Sequence, residues 1–83
     1  MKLARNMKLL RHEMRITQEK MAEKCDVSRS TLAKWESELA IPDIYMIDRI
    51  AGIFNVTLDE LVRGEGEGKL DEKELIYGKI EEV

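Results

Sequence analysis

Apolar side chains recur along this chain at helical spacing, and nowhere does the alternation of a strand appear. Leu3, Met7, Leu10 and Met14 follow one another at intervals of four, three and four, which places them on one face of a first helix. Ile44, Ile47, Ala51 and Phe54 form a second stripe, with Ile50 beside it. Both stripes read as core. Between them, two shorter segments carry start signals: Thr17 precedes Gln18-Glu19-Lys20-Met21-Ala22, and Ser28 precedes Arg29-Ser30-Thr31-Leu32. Each hydroxyl can accept a bond from an unpaired amide of the first turn, so each is read as an N-cap. Neither completes a capping box, because the third helical position is Lys20 in one and Thr31 in the other. Thr57-Leu58-Asp59-Glu60 does fit that box and opens a short last helix ending near Val62. The pattern predicts an all-α fold of five helices over residues 1–63.

The helix after Ser28 has two unlike faces. At 100° per residue, Leu32 and Trp35 fall on one side with Thr31 beside them, while Arg29, Ser30, Ala33, Lys34 and Ser37 fall on the other. Val27 is placed to point inward, and Ala22 is small where the two short helices approach most closely. Cys25 ends the preceding helix where an apolar side chain is expected, so it reads as core. Burial of one face explains folding; the opposite face, small, polar and basic, calls for another explanation. Two short helices joined by a tight turn have the geometry of a helix-turn-helix, whose second helix lies in the major groove of duplex DNA. The chemistry suits it: Arg and Lys pair with O6 and N7 of guanine, Ser is a permissive donor and acceptor, and Ala33 can rest against a thymine methyl.

At Thr17–Glu36, TQEKMAEKCDVSRSTLAKWE, the chain resembles the lambda-repressor/Cro-like (XRE-type) helix-turn-helix family, and LAIPDIYMIDRIAGIFNVTLDELVRG resembles that family's fourth and fifth helices. The resemblance covers roughly residues 3–63, with TQEKMAEK, VSRSTLAKWE, the Pro42-Asp43 pair and FNVTLDEL as its most specific pieces. It implies a compact five-helix DNA-binding domain that acts as a transcriptional regulator, usually a dimer on a two-fold operator. By position, Gln18 matches the side chain that holds a phosphate at the start of the second helix, where the helix N-terminus assists. Arg29, Ser30, Ala33 and Lys34 match base-reading positions, and Ser28 and Ser37 match positions near the DNA backbone. Arg11 and Glu36 match a structural ion pair that ties the first helix to the recognition helix. The chain departs from the pattern at Arg15, Asp26 and Glu38, where the family usually has Gly just past a helix end. A left-handed residue other than Gly costs about 1–2 kcal/mol there.

Charge sharpens the picture. The chain of 83 residues is acidic overall, at −3, yet residues 1–34 hold nine Lys/Arg against four Asp/Glu, a net +5. Residues 35–63 hold two against six, and residues 64–83 three against seven, each a net −4. The positive excess sits on the first three helices, where phosphate contacts are expected. No apolar run approaches the ~18 residues of a membrane span. A single cysteine rules out an intramolecular disulfide and a cysteine metal cluster, and suits a reducing cytoplasm. His12 alone, on the surface of the first helix, builds no catalytic site, and no glycine-rich phosphate loop precedes a helix. An enzyme, a bound metal, a cofactor and a small-molecule ligand are therefore not expected.

Gly64-Glu65-Gly66-Glu67-Gly68 reads as the start of a flexible linker over 64–69. Beyond it, residues 70–83 fit a helical tail presenting Ile76, Ile80 and Val83 on one face with Leu75 alongside, weakened by Gly78. A lone helix of this length is marginal in water. It must dock on the domain, pair with a second chain, or stay loose. Pairing, giving a homodimer, is the expectation, with Leu39 and Ile41 as an apolar landing site on the domain. Three functional classes follow: a repressor occupying an operator, an antitoxin-like protein whose tail holds a partner protein, and an interaction module that keeps the fold without binding DNA.

Overall fold

Four helix starts in this chain are fixed by a side-chain oxygen. In the computed structural model, which describes residues 1–64, Thr17 accepts from the Lys20 amide, Ser28 from Thr31, Asp43 from Met46 and Thr57 from Glu60, at 2.9–3.1 Å. The helices so opened are α2 (Gln18–Cys25), α3 (Arg29–Glu36), α4 (Ile44–Phe54) and α5 (Leu58–Arg63), and α1 (Leu3–Glu13) precedes them. Glu60 closes the capping box of α5 by accepting from the Thr57 amide at 2.8 Å. The expected stripe residues Leu75, Ile76, Ile80 and Val83 lie outside the described residues.

Helix ends are equally regular. Arg15, Asp26, Glu38 and Asn55 all adopt positive φ, between 57° and 65°. After each, the next amide reaches back five residues: Ile16 to Arg11, Val27 to Ala22, Leu39 to Lys34 and Val56 to Ala51, at 2.9–3.2 Å. This is the Schellman arrangement, which satisfies carbonyls left over at a helix end. Three of these four positions hold Arg, Asp or Glu, so the chain keeps the left-handed turn without glycine's steric freedom. The apolar residue that follows the turn packs on the core for Ile16, Val27 and Val56. Leu39 is the exception, 79% exposed.

The core joins Leu3, Met7 and Leu10 of α1 to Met21, Ala22 and Cys25 of α2, Leu32 and Trp35 of α3, Ile47, Ile50, Ala51 and Phe54 of α4, and Leu61 of α5. Two stripe residues do not belong to it. Met14 is 44% exposed, because α1 ends at Glu13 and the chain turns before the next helical turn is complete. Ile44 is 60% exposed; as the first residue of α4 it lies beyond the reach of the neighbouring helices. One polar residue, Asn6, is fully buried on the core side of α1 and donates through Nδ2 to the Leu61 carbonyl at 2.7 Å. With the Lys2 amide bonded to the Val62 carbonyl at 2.8 Å, it ties the start of α1 to the end of α5. Gly64 has φ +68°, and a Cβ there would stand 2.9 Å from Asn6 Nδ2.

Candidate nucleic-acid interface

α2 and α3 pack against each other across the turn Asp26–Ser28, and α3 divides by face as its period requires. Leu32, Trp35 and Glu36 are buried, whereas Arg29, Ser30, Lys34 and Ser37 are exposed and Ala33 is half-buried. Among the described residues, neither Arg29 nor Lys34 pairs with a carboxylate, so both cations face solvent without an internal partner. The serines are engaged locally: Ser28 Oγ caps α3 and sits 2.9 Å from Thr31 Oγ1, while Ser37 Oγ donates to the Lys34 carbonyl at 3.3 Å.

Beneath this face lies a buried ionic contact. Arg11 Nε donates to Glu36 Oε2 at 2.8 Å and Arg11 Nη2 to Glu36 Oε1 at 3.1 Å, a two-pronged pairing that joins α1 to the last residue of α3. Arg11 Nη1 also donates to the Ile16 carbonyl at 3.0 Å, in the turn that leads to α2. Both side chains are almost wholly out of water. His12, expected on the surface, is half-buried, with Nε2 3.4 Å from Arg11 Nη2.

Gln18 enters the same network. Its Nε2 donates to Glu36 Oε1 at 3.0 Å, so the first residue of α2 is held by the last residue of α3. An amide nitrogen has two hydrogens, and Glu36 takes one. The other stands at the N-terminal end of α2, where helix amides and the helix dipole favour an anion. Spacing alone gives no sign of the Gln18–Glu36 contact, since it exists only after α2 and α3 have packed. Nor does the apolar pattern mark Asn6, which lies on the core side of α1, three residues after Leu3 and four before Leu10.

Cys25 is fully buried; burial pushes its thiol up from the ordinary range, and the charge of Arg49 pulls the other way. It has neither the exposure nor the lowered pKa of a reactive thiol. Among the described residues, no group of His, Cys, Asp or Glu is arranged to hold a metal ion, and no helix is long and apolar enough to cross a membrane.

Comparison with known proteins meets this geometry. A family model described as helix-turn-helix matches residues 7–61. The HTH-type transcriptional activator BcrR of Enterococcus faecalis is 43% identical over 56 residues, which are 68% of this chain and 28% of that protein. From Bacillus subtilis (strain 168), an uncharacterised HTH-type transcriptional regulator, YqaE, is 32% identical over 69 residues, 83% of this chain and 60% of that one. The HTH-type transcriptional regulator ImmR of the same organism is 27% identical over 83 residues, 65% of its own length. The chain thus spans between 28% and 65% of the length of these relatives. No solved structure gives a significant match.

Proposed function

The chain belongs to the lambda-repressor/Cro-like (XRE-type) helix-turn-helix family, and on that premise we propose that it is a sequence-specific duplex-DNA-binding transcriptional regulator. The observation that carries this reading is the exposed face of α3. Arg29, Ser30 and Lys34 face solvent on a helix whose opposite side is locked into the core by Leu32, Trp35 and Glu36. A helix fixed from behind presents its polar side at a constant height and angle, which is what a reading head in the major groove requires. Arg29, at the first turn, offers a two-pronged donor to a guanine edge, and Lys34 a donor one turn further along. Ala33 supplies apolar contact between them. Gln18 and Ser28 stand at the two helix N-termini and Ser37 at the far end of α3, where each would meet sugar-phosphate backbone.

Two copies on a two-fold operator would set their α3 helices about one helical turn of DNA apart. Occupancy of such an operator represses by exclusion. The name of the Enterococcus relative, an activator, supports the second reading, in which the same occupancy recruits rather than excludes.

The test is selection of bound sequences from a random duplex library, followed by a salt titration. A palindromic site with its half-sites about one turn apart is expected. Affinity should fall by about 10³–10⁵ between 50 and 200 mM salt if 6–10 phosphates are contacted. Recovery of no preferred sequence, with affinity indifferent to salt, would give the lead to an interaction module on the same fold.

A further inference from the structure

An apolar groove of about 280 Å³ opens between the start of α1 and the end of α3. Met1, Leu3 and Ala4 line one side, Trp35, Ala40 and Ile41 the other, and Glu38 and Pro42 complete the lining. Its rim is unusually apolar for solvent-facing chain: Met1 and Ile41 are each 69% exposed, and Leu39 beside them is 79% exposed. Leu39 is also the one residue of its kind that stays off the core, since Ile16, Val27 and Val56 at the equivalent positions after their turns all pack inward. The volume falls just short of the roughly 300 Å³ at which small-molecule sites begin. It suits a few aliphatic side chains.

The chain itself supplies such side chains next to the groove. The Lys2 amide bonds the Val62 carbonyl at 2.8 Å, and Asn6 Nδ2 the Leu61 carbonyl at 2.7 Å. The end of α5 is therefore stitched to the very segment that forms one wall, and Gly64, the last described residue, lies beside the start of α1. Those residues contain Leu75, Ile76 and Ile80, spaced for one side of a helix, behind a Gly/Glu linker long enough to turn back. Charge agrees. Residues 64–83 carry a net −4, while residues 1–8 carry Lys2, Arg5 and Lys8 and no acid. α1 also has no acidic residue in its first turn and no side-chain cap, so its N-terminus favours a nearby anionic segment.

We propose that residues 70–83 dock on their own domain, seating Leu75, Ile76 and Ile80 in the groove between Met1 and Ile41. Tethering makes this cheap in entropy, because a short linker holds the segment at an effective concentration in the millimolar range. The docked segment covers Trp35 and the exposed side of Leu39, and so braces the C-terminal end of α3 from behind. Pairing between chains then needs another surface.

The test uses the full chain with cysteine pairs. Ile41→Cys/Ile76→Cys and Asp59→Cys/Ile76→Cys are oxidised in dilute solution, and the disulfides are located by mass spectrometry. Ile41 and Asp59 are both exposed, so neither change disturbs the core, and Cys25 is buried out of reach. Asp59 lies near Gly64 in sequence, so an undocked tail would find it at least as fast. Docking predicts that the Ile41 pair closes within one chain about tenfold faster than the Asp59 pair. Equal or slower closure overturns the proposal. Closure only between chains overturns it as well, and assigns the stripe to a second copy.

Discussion

Arg11 and Glu36 put opposite charges out of water, a placement that stabilises only while both are present. Removing either leaves a buried charge with a partial shell: without Arg11, Glu36 keeps only the Gln18 amide, and without Glu36, Arg11 keeps the Ile16 carbonyl and His12. Arg11→Ala should therefore cost about 3–5 kcal/mol in a urea titration, whereas the paired change Arg11→Met/Glu36→Leu should recover most of that loss. A single variant within 1 kcal/mol of the parent, an order-of-magnitude bound, would mean that the charges are solvated in solution. Cys25 offers a second check. Its buried thiol is raised, so the folded state favours the neutral form. Its contribution to stability is complete below the ordinary thiol range near about pH 8.5 and is lost as pH rises toward the raised folded value. Alkylation of Cys25 should accordingly follow global unfolding, and should be negligible in the native protein at neutral pH.

The left-handed turns test the account at the scale of the element. Arg15 and Glu38 hold φ of 58° and 65° with side chains that disfavour it. Glycine there relieves about 1–2 kcal/mol of strain and loses about 0.5–1 to unfolded-chain entropy. Arg15→Gly and Glu38→Gly should each raise the melting temperature modestly, and a drop would place the turn elsewhere. These turns also show what the chain makes legible. Caps at Thr17, Ser28 and Thr57 are local chemistry, readable because donor and acceptor lie within one turn. The helical stripes give the core except at their ends: Met14 and Ile44 keep the period but sit where no neighbouring helix covers them. Asn55 takes the same left-handed turn as the three departures from glycine, and periodicity has nothing to say about it. For the interface, the exposed side of α3 follows from its own period. The Gln18–Glu36 contact does not, because it joins residues on different helices whose packing no local pattern encodes.

At the scale of the molecule, one small core must hold five helices and present one of them. Trp35 lies at the junction, 8% exposed, between the core and the groove. Trp35→Ala should cost about 3–5 kcal/mol, a large share of the roughly 5–15 kcal/mol that a domain has in total. A variant that melts within a few degrees of the parent would show that α3 is anchored by something else. Opposite Trp35 on the same helix, the exposed face adds Arg29 and Lys34 to the positive excess that residues 1–34 hold across the first three helices in a chain that is acidic overall. Long-range attraction would be shared among those cations while the proposed base reading falls to α3, and one side chain separates the two. Arg29 faces solvent, so its removal should leave stability almost unchanged while deleting the two-pronged base contact proposed for it, worth about 1–3 kcal/mol. The decisive measurement is the affinity of Arg29→Ala for the sequence selected by the parent, set against its affinity for random duplex. A loss of roughly ten- to a hundredfold on the selected sequence, with a much smaller change on random DNA, is the predicted result. Parental affinity for the selected sequence would contradict the account, since α3 would then not be the element that reads DNA.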